Sequence, residues 1–223
     1  MINQEVYTKI SSELAAAQAT LVAVSKTKPP VDIKQVFELG QRDFGENYVQ
    51  ELADKHHELP ADIRWHFIGH LQTNKVKYIA PFVHLVQSVD SMKLLTEINK
   101  QAAKNSRSID CLLQIHIAQE ETKFGFDEAE LDGAIGFISG DSPVLNNIRI
   151  KGLMGMASMT EDMDKVRSEF KRLKTLFDKY RQFQSSRLAF ETLSMGMSND
   201  YQVALEEGST MVRIGSMIFG ERG

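Results

Sequence analysis

The sequence contains very little cysteine and tryptophan, and it has no long apolar run. Of its 223 residues, one is Cys and one is Trp. Because Cys111 has no second cysteine to pair with, it cannot form an internal disulfide, and its place in the apolar stretch 109–117 predicts a buried core residue. A chain that does not depend on disulfides suits a reducing compartment, and we therefore expect a cytoplasmic protein.

The features of membrane proteins and of nucleic-acid-binding proteins are also missing. No apolar stretch approaches the roughly 20 residues that a membrane-spanning helix needs, and no basic segment leads into an apolar one at the amino terminus. The formal net charge is -4, from 26 basic and 30 acidic residues that are interleaved along the chain. Without a block of basic residues, neither nucleic acid nor an anionic membrane is an expected partner.

The sequence does contain a regular alternation of short apolar runs and amphipathic segments. An unbroken apolar run is typical of a strand that is covered on both faces of a parallel sheet, whereas a three- to four-residue spacing is typical of a helix. Strands are predicted at 21–26, 42–45, 64–69, 83–89, 109–117, 148–154, 188–194 and 211–214. Helices are predicted between them, one of them at 71–80 and the most regular at 163–180, and an additional helix at 2–19 precedes the first strand.

Eight strands with intervening helices predict an α/β fold, a single (β/α)8 TIM barrel with an extra N-terminal helix. An open, doubly wound sheet is the alternative. The barrel is favoured because the strand count reaches eight, and because the extra helix can cover the outer position beside a chain that ends soon after strand eight. No linker or low-complexity segment interrupts the pattern, so residues 1–223 are predicted to form one domain.

Lys26 is the first candidate functional residue. It ends the apolar run that begins at Leu21, and the prolines Pro29 and Pro30 follow shortly after it. It is therefore expected at the carboxyl end of the first strand, the edge where barrels and parallel sheets bind their ligands. A solvated lysine at a strand end is the alternative interpretation.

The loops after the seventh and eighth strands contain residues that commonly bind anions. Gly196 and Ser198 lie in the first loop, and Gly215 and Ser216 lie in the second. Phosphate groups often bind at these two loops in TIM barrels. Ordinary turns also use Gly and Ser, but two neighbouring loops of this kind together predict a phosphate site.

Arg213 is a charged residue within the apolar strand 211–214 and must face either an acidic residue on a helix or the mouth of the barrel. In the second case an amine at Lys26, a phosphate site and a fixed cation share one pocket, which a phosphorylated aldehyde would fill. Pyridoxal 5'-phosphate (PLP) fits best, because a lysine can form a Schiff base with its aldehyde, with nearby positive charges such as Lys28 favouring the neutral amine. Arginine keeps its proton, so it disfavours protonation of the pyridine nitrogen, and transaminase or decarboxylase chemistry is not expected.

Six motifs, in order along nearly the whole chain, resemble the pyridoxal phosphate homeostasis protein family. They are AVSKTKP at 23–29, FGENY at 44–48, HFIGHLQTNK at 66–75, GLMGM at 152–156, LSMGMSND at 193–200 and GSTMVRIG at 208–215. The resemblance implies a barrel like the amino-terminal domain of bacterial alanine racemases. It further implies a protein that holds PLP and hands it on, rather than an enzyme.

The resemblance also implies a role for six residues. Lys26 would form the internal aldimine, and Arg213 would meet the pyridine nitrogen. Asn47 would lie beside the ring, and the phosphate would be held by Ser198, Gly215 and Ser216. One departure from the family pattern is His116, where we expect Asn.

Three functions are compatible with the sequence. The first is a PLP-binding homeostasis protein, monomeric, with PLP-free enzymes as candidate recipients of the cofactor. The second is an amino-acid racemase, which would need a second base that alanine racemases take from an additional β domain. The third is a Schiff-base aldolase acting on a sugar phosphate.

Other candidate residues are given lesser roles. Lys75 and Lys123 are candidate secondary amines that could receive the cofactor, although solvated lysines are the simpler interpretation. His66 and His70 are separated by a strand end rather than by a helical turn, so they are not expected to share a metal ion, and no metal site is predicted.

Overall fold

The computed structural model of the chain describes residues 2–118, 124–140 and 145–220. Within them lie the strands β1 Thr20–Val24, β2 Asp43–Glu46, β3 Arg64–Phe67, β4 Leu85–Val89, β5 Ile109–Ile115, β6 Ile148–Gly155, β7 Leu188–Ser194 and β8 Met211–Ile214. All eight are parallel and pair in sequence order, and β8 pairs with β1 to close the barrel. The predicted fold class is confirmed, and the open sheet is excluded.

The helices that connect the strands form the outer layer. Those in the described residues are α1 Gln4–Ala16, α2 Pro30–Glu38, α3 Val49–Glu58, α4 Val76–Ile79, α5 Met92–Lys104, α6 Glu128–Ser139, α7 Met163–Arg181, α8 Tyr201–Glu206 and α9 Ser216–Phe219. Of these, not one combines the length and the apolar character that crossing a lipid bilayer requires.

The prediction of one continuous helix at 71–80 is wrong. A 3-10 turn spans Thr73–Lys75, and α4 contains only Val76–Ile79. Side chains such as those of Thr73 and Asn74 compete with the backbone for hydrogen bonds and favour turns over helix interiors. The apolar spacing that suggested a long helix therefore reflects two short segments.

The additional helix α1 lies where the chain returns to its starting point. Its residues Ile10 and Leu14 are buried, and the backbone N–H of Asn3 donates to the Ile218 carbonyl at 2.8 Å. Tyr201 on α8 donates its hydroxyl to the Glu13 carboxylate at 2.9 Å. This helix thus occupies the outer position beside β1 and β8 that the sequence predicts for it.

The core has two layers. A large cluster between strands and helices includes Phe44, Trp65 and Ile33. Neighbouring residues on a strand point to opposite faces, so a second, smaller cluster lies on the inner face of the barrel. It consists of Val22, Leu85, Leu112, Met154 and Met211.

Cys111 belongs to the outer layer and is fully buried. Burial raises the pKa of its thiol, so the reactive thiolate is not formed at neutral pH. We expect the native protein to be inert toward a disulfide reagent at pH 8, and the same protein in denaturant to react with one equivalent. Rapid stoichiometric reaction of the native protein would contradict this packing.

Candidate functional site

A cavity of about 220 Å³ at the carboxyl ends of the strands brings together all six residues singled out in the sequence. Lys26 follows β1, and Asn47 follows β2. Ser198 follows β7, Arg213 lies within β8, and Gly215 and Ser216 follow β8. Lys26 and Arg213 therefore face the same cavity. The described residues that line it are Val24, Lys26, Lys28, Asn47, Ile68, Met156, Met197, Ser198, Arg213, Gly215, Ser216 and Gly220.

Lys26 is half-buried in a tight turn immediately after β1. The next residue, Thr27, has a φ of 64°, a left-handed conformation that is unfavourable for a β-branched residue. Its backbone N–H donates to Glu51 Oε1 on α3 at 2.6 Å. A contact with the helix layer thus holds Thr27, the residue after Lys26.

A buried ionic cluster, which also includes Glu51, holds Ser25, the residue before Lys26. Lys55 Nζ donates to the Ser25 carbonyl and to the carboxylates of Glu46 and Glu51, each at 2.7 Å. Ser25 donates its hydroxyl to Glu46 Oε1 at 2.6 Å. Burial raises the pKa of Glu46, and the positive charge of Lys55 opposes this rise. Lys26 is therefore flanked on both sides by residues with fixed backbones.

Lys55→Met is expected to lower the free energy of unfolding by about 3–5 kcal/mol, because the Glu46 carboxylate would remain buried without its counter-charge. Urea unfolding at neutral pH measures the loss. The matched control is Lys9→Met, which removes an exposed ion pair with Glu13 on α1 and should cost less than about 0.5 kcal/mol. Equal losses in the two variants would show that the cluster does not stabilise the fold.

The loops after β7 and β8 meet at the cavity, as the sequence predicts. Ser216 Oγ donates to Ser198 Oγ at 3.1 Å, which places two hydroxyl groups side by side. Gly215 separates β8 from Ser216 and lines the same cavity. This part of the lining is polar and free of acidic side chains among the described residues, as an anion site requires.

Asn47 is placed by the close approach of Gly69. A Cβ atom at position 69 would lie 2.3 Å from the Asn47 carbonyl oxygen, so a side chain there would displace this segment. The side-chain Oδ1 of Asn47 is buried and has no hydrogen-bond partner among the described atoms. An unsatisfied buried acceptor is costly, and a ligand that donates a hydrogen bond would remove that cost.

Arg213 points into the barrel, so the alternative of an outward contact with a helix acid is wrong. The side chain is 4 % exposed and donates from Nη1 to Ser194 Oγ at 2.6 Å and from Nη2 to the Gly155 carbonyl at 3.0 Å. Burial lowers the pKa of Arg213 to about 10, against the opposing effect of Asp200. The guanidinium is therefore cationic at neutral pH, and its lining position makes it a fixed positive charge in the cavity.

The lesser candidates lie elsewhere. Lys75 is exposed and lines a neighbouring cavity of about 290 Å³ that shares Asn47 with the first. His116 follows β5 and is not among the described residues that line the cavity of Lys26. Lys123 lies outside the described residues.

The two histidines four residues apart contact different carboxylates. His66 Nε2 lies 2.9 Å from Asp43 in the barrel interior, whereas His70 Nδ1 lies 3.1 Å from Asp90.

Asp43, His66 and His84 have possible metal-ligand atoms within 4.8 Å of one another, a grouping that the sequence does not predict. In this structure Arg64 donates to both carboxylate oxygens of Asp43.

The Lys55 cluster and Ser194 are also not predicted from the sequence, although a signal for each exists. Glu51 and Lys55 are four residues apart, the spacing of a helical ion pair. Ser194 is a polar residue that ends the predicted strand 188–194 next to the loop of Ser198. Only the three-dimensional arrangement shows that these residues contact the turn of Lys26 and the side chain of Arg213.

The fold and the cavity define a class of protein, the alanine racemase N-terminal domain, whose family profile matches residues 6–223. The pyridoxal phosphate homeostasis protein of Aquifex aeolicus is 41% identical over 205 residues, covering 92% of this chain and 87% of that protein. The protein of the same name from Escherichia coli K12 is 36% identical, covering 92% and 86%. The chain belongs to the pyridoxal phosphate homeostasis protein family.

Solved structures agree with this assignment. PipY of Synechococcus elongatus, determined with PLP bound, superposes with a TM-score of 0.85 at 32% identity, covering 96% of this chain and 100% of that one. Alanine racemase of Streptomyces coelicolor superposes with a TM-score of 0.76 at 18% identity, covering 97% of this chain and 57% of that chain. The second likeness concerns the fold alone.

Proposed function

We propose that this chain binds PLP through a Schiff base between Lys26 and the aldehyde, and that it stores and transfers the cofactor without converting a substrate. The observation that carries the proposal is the single cavity shared by Lys26, the hydroxyl pair and the buried Arg213. The names of the curated relatives and the PLP-bound structure of PipY support it.

Each residue of the cavity has a role that its chemistry supports. PLP supplies an aldehyde, a conjugated ring and a phosphate. Ser198 and Ser216 offer hydroxyl groups to the phosphate, and Gly215 lets the backbone approach it. The unsatisfied Oδ1 of Asn47 offers an acceptor beside the ring.

Arg213 favours storage over catalysis. As a permanent donor it would bind the pyridine nitrogen in its unprotonated form, and an unprotonated ring withdraws electrons only weakly. The PLP held here is therefore expected to activate a bound amino acid poorly.

A racemase finds less support. Among the described residues that line the cavity there is no Tyr or His that could act as the second base. Tyr201 contacts Glu13, His70 contacts Asp90, and Tyr48 lines the neighbouring cavity. An aldolase has no specific observation in its favour.

The location, the oligomeric state and the recipients of the cofactor are also proposed. Residues 1–223 would act as one cytoplasmic, monomeric domain, in keeping with a single cysteine that is buried. The recipients would be enzymes that lack their PLP, as the homeostasis named in the relatives suggests.

Borohydride reduction of the PLP-loaded protein, followed by peptide mapping, tests the proposal. We expect a visible Schiff-base absorption band before reduction and one label on Lys26 after it, with no racemisation of added alanine. A label on Lys28 or Lys75 instead would overturn the site assignment. The absence of both band and label would overturn the function.

A further inference from the structure

A continuous row of polar side chains crosses the interior of the barrel beneath the cavity. Barrel interiors are usually filled by branched apolar residues, and the inner face here does contain a cluster of that kind. Yet Asp43, His66, Gln87, Ser194 and Arg213 are all buried. Burying polar groups is costly unless they are paired, so each of these side chains needs a hydrogen-bond partner.

These five residues form a single chain of hydrogen bonds. Arg213 Nη1 lies 2.6 Å from Ser194 Oγ, which lies 2.6 Å from Gln87 Oε1. Gln87 Nε2 lies 3.0 Å from His66 Nδ1, and His66 Nε2 lies 2.9 Å from Asp43 Oδ1. The row therefore connects the cavity of Lys26 with the opposite mouth of the barrel, where Asp43, Arg64 and His66 line a second cavity of about 240 Å³.

The direction of every bond in the row is fixed by its two ends. Arg213 can only donate and an ionised Asp43 can only accept. Ser194 must therefore accept from Arg213 and donate to the Gln87 carbonyl, which turns the Gln87 amide group toward His66. His66 must then accept at Nδ1 and carry its proton at Nε2, facing Asp43.

The acceptor end of the row is itself held in place. Burial would raise the pKa of Asp43, but hydrogen bonds from Arg64 and His66 hold it well below its usual range. Arg64 donates to Asp43 from Nε at 2.8 Å and also from Nη2. A fixed carboxylate thus anchors the row at the amino-terminal mouth.

We propose that Ser194 and Gln87 are positioning residues, which through this row orient the Arg213 guanidinium toward the ring nitrogen of bound PLP. The inference rests on the proposed function and deepens it. Two of the guanidinium nitrogens are held by Ser194 and Gly155. Without Ser194, one N–H group would lose its acceptor, and the guanidinium would be held at one nitrogen instead of two.

The test uses the full chain with PLP bound, in the variants Ser194→Ala and Gln87→Met. Both remove a link of the row, and we expect each to accelerate PLP dissociation about tenfold, because the contact of Arg213 with the ring nitrogen, one hydrogen bond from a charged group, would be weakened. The visible absorption band of the bound cofactor should shift in both, because the arginine contact at the ring changes. The double variant should behave like either single variant, since both break the same row.

A further variant separates positioning from packing. Ser88→Ala is the matched control, because Ser88 is the neighbour of Gln87 on β4 and its buried hydroxyl has no partner among the described atoms. In Ser88→Ala, the rate of PLP dissociation and the visible absorption band of bound PLP should equal those of the wild type.

The possible failures are distinguishable. If the wild type forms no band with PLP, the proposed function itself fails. If the wild type binds PLP on Lys26 but Gln87→Met keeps the wild-type dissociation rate and band, the row is only structural and the positioning role is overturned.

Discussion

Lys26→Arg is expected to abolish covalent attachment of PLP. Arginine keeps the positive charge at the strand end but has no amine that can form a Schiff base at neutral pH. The visible Schiff-base absorption band and the label that borohydride reduction fixes on Lys26 should both disappear. Wild-type protein at a PLP concentration of roughly 100 times Kd should gain about 2.7 kcal/mol in free energy of unfolding, and most of this gain should be lost in the variant.

The matched control for this prediction is Lys34→Arg, at an exposed position of α2 outside the cavity. It should keep the band, the label and the stabilisation by PLP. A Lys26→Arg protein that still carries a reducible label would mean that another amine holds the cofactor. Lys28, whose Nζ donates to the Gly220 carbonyl at 3.1 Å, would then be the first position to map.

Gly152→Ala should have the largest effect on stability. Gly152 has a φ of 146°, and a Cβ atom there would lie 1.8 Å from the Thr192 carbonyl oxygen in β7. The backbone cannot accept this atom without separating two paired strands, so we expect a loss of more than about 4 kcal/mol or no folded protein at all. Urea unfolding or the yield of soluble protein measures the effect.

The control adds the same methyl group where there is room for it. Gly133 lies within α6, and a Cβ atom there has nothing within 4 Å. Gly133→Ala should stabilise the protein by about 0.5–1 kcal/mol, because alanine favours the helix. Similar stabilities of the two variants would contradict the strand geometry at Gly152.

The irregularity at Gly152 also affects the cavity. The register between β6 and both of its neighbours shifts close to this residue. A bulge of this kind changes the direction of the strand beyond it. Here the strand continues to Gly155, whose carbonyl accepts a hydrogen bond from Arg213. A small backbone irregularity in the sheet thus contributes to the placement of the fixed charge.

Much of the fold could be predicted from the sequence because its strands are short, continuous apolar runs. Strands β6, β7 and β8 lie within one residue of the predicted 148–154, 188–194 and 211–214. The predicted third and fourth strands, 64–69 and 83–89, are longer than the observed β3 and β4. Residues such as Ile68 and Val83 are apolar and continue the pattern, but they lie in connections rather than in the paired ladder.

The candidate site was predictable where it depends on order along the chain. Residues that follow parallel strands must meet at one edge of the barrel, so Lys26, Ser198 and Ser216 could be placed together. Asn47 is expected there only from the family resemblance. The bond between Ser194 and Gln87 joins residues 107 positions apart. This bond depends on the shear of the closed barrel, that is, on the stagger between its strands. The spacing of residues within one strand or helix does not predict that stagger. The Glu46–Lys55 contact likewise requires the angle between β2 and α3.

The left-handed conformation of Thr27 has a consequence for protein engineering. A β-branched residue in this region costs on the order of 1–2 kcal/mol, so a screen for heat resistance would tend to select glycine at position 27. Glycine would relieve the strain, but it would also let the turn adopt more backbone conformations, so the amine of Lys26 would be held less firmly. Heat resistance gained at this position would therefore come with poorer retention of whatever Lys26 holds, and stabilising substitutions are better sought on the outer helices.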